Sequence, residues 1–338
     1  MSRRKTYANL LSYWFYYGAL IGISFVVSPI LVGSLGQERY GVWTLLVSFA
    51  GYLSVLDLGI NAALVRLVSR HVALEEADEA RAVYSTVNWM LLVMACIALV
   101  VILLAGPVFL GRFGLTDVLQ QQAWTLYWIV GFDVCLGLAF SSLLGCLTGL
   151  QQFVRVNLLS TTIAIVKNGV LVLLLHQGHG LLSVALLQLG ANGTRYLGQY
   201  VLLRRTPNAP RFEPSRASRA ALRQVWSYGA YGVLIAIALK LMAYTDALVI
   251  GGFRSTSEVT QYAIPASILE HLERLVLAGV AVAISLISSR EAVGALDRNQ
   301  SLFACGWARR LQGSPLLSCK FWSLVTPLPC PNSLPTGF

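Results

Sequence analysis

The sequence predicts an all-α membrane protein, a polytopic bundle of about eight transmembrane helices in which a first six-helix bundle is followed by the start of a second. Three observations predict it. The chain is 56% hydrophobic and 12% charged, where a soluble domain carries roughly 25% charged residues. The apolar residues gather into eight long stretches joined by short connections. The basic residues are segregated: with the N-terminus inside, thirteen Lys and Arg from Arg3 to Arg223 fall on inner segments, against Arg39, Arg112 and Arg254 outside. That segregation explains the net charge of +10 and removes any need for a nucleic-acid partner.

The eight stretches lie at roughly 11–33, 41–68, 84–110, 123–147, 157–176, 180–203, 225–252 and 262–289. Before the first, Arg3-Arg4-Lys5 looks like the start of a signal peptide. The run Leu11–Gly33 is too long for such a segment and has no A-x-A cleavage site, so it reads as an uncleaved span. Aromatic residues mark many ends, among them Trp14, Trp89, Trp128 and Trp226, as expected at headgroup level.

The second stretch organises the rest. From Gly41 to Val65 its one charge is Asp57. Read as one helix it is ~37 Å long, enough to cross a bilayer. Ala50, Ser54, Asp57 and Asn61 then share one narrow face. An ionised group at that depth costs a few kcal/mol, so this face belongs against a polar cavity or a partner. The acidic run Glu75, Glu76, Asp78, Glu79 that follows reads as a solvated helical face.

In the fourth stretch Asp133 opens a small or polar face with Gly137, Ser141, Gly145 and Thr148. The fifth carries Lys167 beside Asn168. In the sixth, Gln188, Asn192, Arg195 and Gln199 recur at helical spacing, a full polar stripe. The seventh carries Lys240 and, near its outer end, Asp246. In the eighth, Glu270 and Arg274 pair at i, i+4, leaving Glu273 as the unexplained acid. Gly18-x-x-x-Gly22 and Gly145-x-x-x-Gly149 allow close helix approach. Pro29, Pro107 and Pro265 are candidate kinks. The cysteines include no CxxC pair, and His176 and His179 sit in a short polar turn, so no metal site or cofactor is expected.

An internal repeat divides the chain. Ser12-Tyr13 and Gly18 open the first pair of stretches, as Ser227-Tyr228 and Gly232 open the seventh and eighth. Tyr40-Gly41 corresponds to Tyr262-Ala263, the second copy needing about seven extra residues in its outer loop. Parallel repeats of this kind build transporters from two bundles around a central site. The expected domains are 1–205, the six-helix bundle; 206–224, a basic cytoplasmic linker; 225–290, the start of a second bundle; and 291–338, an atypical tail rich in Pro and Cys. The composition of that tail suggests a shifted reading frame and a truncated second bundle.

Gly36, Tyr40-Gly41-Val42-Trp43, Leu56-Asp57-Leu58-Gly59-Ile60 and Arg66 resemble the start of polysaccharide flippases of the Wzx type. These belong to the multidrug/oligosaccharidyl-lipid/polysaccharide exporter (MOP) superfamily. Thr245–Gly251 followed by Gln261-Tyr262 is similar to that family's seventh-span region, and the resemblance covers about residues 5–290. It implies a multi-pass protein of the bacterial inner membrane with a cytoplasmic N-terminus. It implies flipping of an undecaprenyl-diphosphate-linked oligosaccharide for O-antigen, capsule or exopolysaccharide, by ion-coupled alternating access. Other polysaccharide-assembly membrane proteins are then partners. A drug antiporter of the same superfamily is the alternative. A membrane enzyme is disfavoured because no outer loop exceeds about twelve residues.

A polar anionic headgroup needs a wet cavity with cations for phosphate and amides for sugars. Arg195, Lys167, Lys240, Gln188, Asn192, Gln199 and Asn61 are the candidates to line it, and Asp57, Asp133, Asp246 and Glu273 the candidates for ion coupling. For Asp133 the competing reading is a salt bridge to Lys167. For Lys167 and Lys240 it is neutralisation of Asp57 or Asp133, or snorkelling to the interface. For the sixth-span stripe it is hydrogen bonding to neighbouring helices.

Overall fold

A backbone that crosses hydrocarbon must satisfy its own hydrogen bonds, which favours long helices. The computed structural model describes residues 3–57, 59–112, 117–207, 209–267 and 269. They form eight α-helices in chain order: α1 (Arg3–Leu35), α2 (Gln37–Leu53), α3 (Ile60–Ala73), α4 (Ala77–Leu110), α5 (Asp117–Gly149), α6 (Phe153–His176), α7 (Leu181–Arg205) and α8 (Arg219–Phe253). Residues 256–267 are helical as well. No strand occurs among the described residues. The protein is an all-α, multi-pass membrane bundle. Five segments are long and apolar enough to span by length and composition alone: Leu11–Leu35, Gln37–Asp57, Ala77–Leu110, Leu119–Gly149 and Phe153–His176. Glu270, Glu273, Arg274 and the Pro- and Cys-rich tail lie outside the described residues.

The expected continuous helix over 41–68 is broken. A 3₁₀ turn, Ser54–Asp57, separates α2 from α3, and Gly59 at φ +66° opens α3 in the left-handed region. Asp57 therefore does not share a helix face with Ala50. It sits at the α3 N-terminus, where its Oδ1 accepts from the Asn61 backbone N–H at 3.4 Å and from Asn61 Nδ2 at 2.9 Å. A carboxylate is favourable there because unpaired N–H groups give a helix start partial positive charge.

The connections after α1 and α8 are shorter than the sequence suggests. Only Gly36, at φ +81°, lies between α1 and α2. The extra residues expected before Tyr262 form no long loop, since helix resumes at residue 256 with only two residues between it and α8. Thr260 Oγ1 donates to the Gln37 carbonyl at 2.6 Å, which joins the helix after α8 to the start of α2.

Two apolar cores form at opposite ends of α4 and α5. One gathers Leu46, Ile102, Leu110, Leu126 and Tyr127 with residues of α1, α6 and α7. Tyr127 is satisfied there by donating to the Ile102 carbonyl at 2.7 Å. The other gathers Leu64, Val68, Val87, Leu91 and Leu147 with Val225 of α8. Large apolar side chains such as Phe25, Leu104, Leu173 and Leu197 are exposed on the outer surface, the arrangement a lipid-facing wall requires.

Beyond α7 the chain is strapped to α4. Ser85 Oγ accepts from the Glu213 backbone N–H, and Thr86 Oγ1 from that of Ser218, each at 3.1 Å. Arg216 pairs with Asp78 at 3.0 Å, and His71 meets Glu76 at 2.7 Å. The acidic run is thus not only a solvated face, because two of its members hold neighbouring elements.

Glycines mark the tightest approaches. A Cβ on Gly41 would stand 1.8 Å from the Thr256 carbonyl oxygen. On Gly145 it would stand 2.7 Å from Asn61 Oδ1, and on Gly149 3.0 Å from Val68, so this pair closes α5 on α3 as its spacing predicts. Gly18 and Gly22 have nothing within 4 Å and close no such contact. Gly41→Ala should therefore lower stability by about 1–3 kcal/mol through overpacking. Gly22→Ala should be neutral or stabilising by up to ~1 kcal/mol through helix propensity. Thermal unfolding of the purified protein in detergent reads both.

Candidate functional site

Two polar clusters lie inside the bundle. The first is built on α5, α6 and α7, between the two apolar cores. Asp133 stands midway along α5, and both its carboxylate oxygens accept from Asn192 Nδ2, at 3.0 and 2.7 Å. Asn192 is buried, and its Oδ1 accepts from Arg195 Nη2 at 2.8 Å. One amide thus bridges an acid and a base, its NH₂ towards the carboxylate and its oxygen towards the guanidinium. The Arg195 guanidinium also lies 5.6 Å from the Tyr196 ring centroid. That ring stacks on Phe140 at 5.7 Å, and its hydroxyl crowds the place where a side chain on Gly137 would be.

Lys167 joins the cluster from α6. Its Nζ donates to Gln188 Oε1 on α7 at 3.0 Å, and it is close enough to Arg195 for the two cations to interact. Among the described residues Lys167 forms no salt bridge with Asp133, which disposes of that reading of either residue. The α7 stripe predicted from spacing does converge. Gln188 reaches Lys167, Asn192 reaches Asp133, Arg195 follows, and Gln199 is buried further along. The cluster's formal charge is two positive against one negative.

The second cluster lies where α2, the 3₁₀ turn and α3 meet α8. Asp57 and Asn61 stand on one side, and the charge of Lys240 acts on Asp57 from α8. The Lys240 ammonium also lies 5.3 Å from the Tyr244 ring centroid, a cation–π arrangement. Asn61 Oδ1 is buried and without a hydrogen-bond partner, directed at the bare Cα of Gly145. Tyr52 and Thr245 join α2 to α8 by a hydrogen bond between their hydroxyls. Nothing in the sequence pattern marked Tyr52, Thr245 or Tyr196 as partners, because each acts across helices distant in the chain.

Between the N-terminal half of α2 and the C-terminal part of α8 a cavity of about 560 Å³ opens. Tyr40, Trp43, Thr44, Tyr244 and Tyr262 are among its lining residues. At its edge Tyr262 donates to Asp246 Oδ2 at 2.6 Å. Asp246 is exposed and touches this cavity only through Tyr262, apart from both internal clusters. Glu273 lies outside the described residues.

Comparison with known proteins places this arrangement. The sequence model of a family described as "Polysaccharide biosynthesis protein" matches residues 7–290. No curated protein sequence matches. The fold is shared with a mutant of the MATE transporter VcmN from Vibrio cholerae, at TM-score 0.63 and 14% identity over 86% of this chain and 66% of that one. It is shared with an inward-facing multidrug resistance MATE family transporter of the MOP superfamily, at TM-score 0.63 and 15% identity over 86% of this chain and 68% of that one. It is shared also with a MOP superfamily transporter from Pyrococcus furiosus, described as having a binding pocket of reverse polarity, at TM-score 0.58 and 14% identity over 92% and 74%. The chain thus spans about two thirds of the length of the first two relatives.

The Asn192 bridge has a measurable weight. Asn192→Leu would leave the Asp133 carboxylate without its hydrogen-bond donor and should lower stability by about 1–3 kcal/mol. With Asp133→Asn also present, the added cost of losing Asn192 should shrink, because no charge is then stranded. A double-mutant cycle by thermal unfolding measures that coupling.

Proposed function

From the membership of this chain in the polysaccharide biosynthesis protein family, we propose that it moves an undecaprenyl-diphosphate-linked oligosaccharide across the bacterial inner membrane. The export serves the assembly of surface polysaccharide such as O-antigen, capsule or exopolysaccharide. Its mechanism is alternating access of two bundles, coupled to an ion gradient. The N-terminus is cytoplasmic in this reading, as the arginine distribution favours. Other membrane proteins of polysaccharide assembly are its working partners.

One observation carries the reading. Arg195 and Lys167 sit half-buried among membrane helices, and the hydrogen-bond acceptors that hold them are the neutral amides of Asn192 and Gln188. The cluster holds one carboxylate, Asp133, beside Arg195 and the further cation Lys167, and surplus positive charge in a low-dielectric interior favours an anionic guest. A diphosphate supplies the missing negative charge, and the guanidinium fork suits it. The amides of the α7 stripe are matched to sugar hydroxyls. In this scheme Asp133 is the coupling residue. Protonation would weaken its hold on Asn192 and free Arg195 to turn towards the cargo.

A drug antiporter is the second reading. The aromatic cavity beside Asp246 favours it, because aromatic faces and a carboxylate suit an organic cation.

Binding separates the two. The purified chain in detergent should bind an undecaprenyl-diphosphate-linked oligosaccharide, and Arg195→Ala and Lys167→Ala should each weaken it about 10- to 100-fold, the worth of one charged hydrogen bond. Tight binding of tetraphenylphosphonium that is insensitive to both substitutions but lost in Asp246→Asn would reverse the assignment.

A further inference from the structure

A second basic site lies at the end of the bundle where α7 finishes and α4 begins. The segment after α7 folds back and encloses a pocket of about 540 Å³. Four arginines line it: Arg81 from α4, Arg204 and Arg205 from the last turn of α7, and Arg211 from the linker. Arg204, Arg205 and Arg211 form no ion pair among the described residues. Glu213, the acid on the lining, is already engaged with Arg216 at 3.3 Å. Arg81 stands 3.6 Å from Asp78, so three unpaired positive charges converge on a cavity whose one negative charge is taken.

Arg204, Arg205 and Arg211 are exposed, but they are mounted on an ordered frame. Its walls include buried Tyr84, Leu203, Thr206 and Pro210. The linker wall is pinned by the bonds from Ser85, Thr86 and Asp78. Arg204 is oriented by Tyr200: its Nε donates to the hydroxyl at 2.9 Å, and the guanidinium lies 5.1 Å from the ring centroid. Its terminal nitrogens are left to face a ligand. Along α7, Arg204 is nine residues from Arg195, roughly 13 Å, so this pocket is separate from the Asp133 cluster.

We propose that this pocket binds a phosphate-bearing anion. Guanidinium forks take phosphate oxygens in pairs, which a scatter of surface lysines cannot do. Basic pockets at the end of a transmembrane helix are also where anionic lipid headgroups are held. The shared chemistry is a phosphodiester or diphosphate group, supplied either by an anionic phospholipid of the adjoining leaflet or by a soluble phosphate compound. The site makes no use of the cargo-handling cluster and stands whether or not that cluster handles an oligosaccharide.

The test uses the full chain and two probes. In nanodiscs of phosphatidylcholine doped with phosphatidylglycerol, native mass spectrometry should show phosphatidylglycerol retained on the wild type. Arg204→Gln/Arg205→Gln/Arg211→Gln should reduce retention at least tenfold. Arg219→Gln/Arg223→Gln, outside the pocket, should leave it unchanged. Inorganic pyrophosphate titrated into detergent-solubilised protein is the second arm. Saturable binding that the triple variant loses assigns a soluble source, and lipid retention that pyrophosphate does not displace assigns the headgroup. The triple variant's melting temperature and elution volume guard against misfolding, and Arg204→Lys/Arg205→Lys/Arg211→Lys, which keeps the charge, should retain weakened binding. Equal affinity of wild type and triple variant for both probes, or no binding of either, overturns the proposal.

Discussion

Everything in this bundle answers to the cost of carrying a charge through hydrocarbon. Asp133 and Arg195 stand one shared amide apart, with Asn192 handing two hydrogen bonds to the acid and taking one from the base. A direct salt bridge would have locked the two charges onto each other. An intervening amide satisfies both and leaves each free to be claimed by something else. The two apolar cores exist on either side of this arrangement, and their packing holds α5 and α7 in the register that makes it possible.

The break between α2 and α3 serves the second polar cluster in a similar way. A straight helix would carry Asp57 through the membrane with a full complement of internal hydrogen bonds. The 3₁₀ turn and Gly59 instead free a helix N-terminus at depth, and the carboxylate settles on it. Gly145 has no side chain because Asn61 comes too close to permit one. This position is paired with α8 through Tyr52, Thr245 and the charge of Lys240, so it lies where α2 and α3 meet α8.

The parts written in local periodicity were legible in the sequence. The α7 stripe is on one helix face by spacing alone, and the structure uses that face. The all-α class and the Gly145–Gly149 approach were legible on the same grounds. What escaped was non-local. Leu56–Ile60 reads as apolar helix until a left-handed glycine interrupts it, and only the tertiary fit of α3 against α5 selects that interruption. Ser85 and Thr86 look like ordinary residues of a span, yet they are buried receptors for the backbone of a linker more than a hundred residues away. Gly18 and Gly22 carry the spacing of a close-packed pair and meet nothing, so the motif permits an approach without enforcing one.

The strapping of the linker to α4 has a mechanical meaning. The backbone N–H of Ser218 is held by Thr86, and the Ser218 hydroxyl in turn caps α8 by accepting from the Ala221 backbone N–H at 3.1 Å. The α8 rod therefore begins at a fixed fulcrum with no slack behind it. At 35 residues it is roughly 52 Å long. A rod tilting about one end would move farthest at the other, where Asp246 resides. There the Tyr52 hydroxyl holds Thr245, so α8 is fastened near both ends and a tilt about its start must carry α2 with it or break that bond.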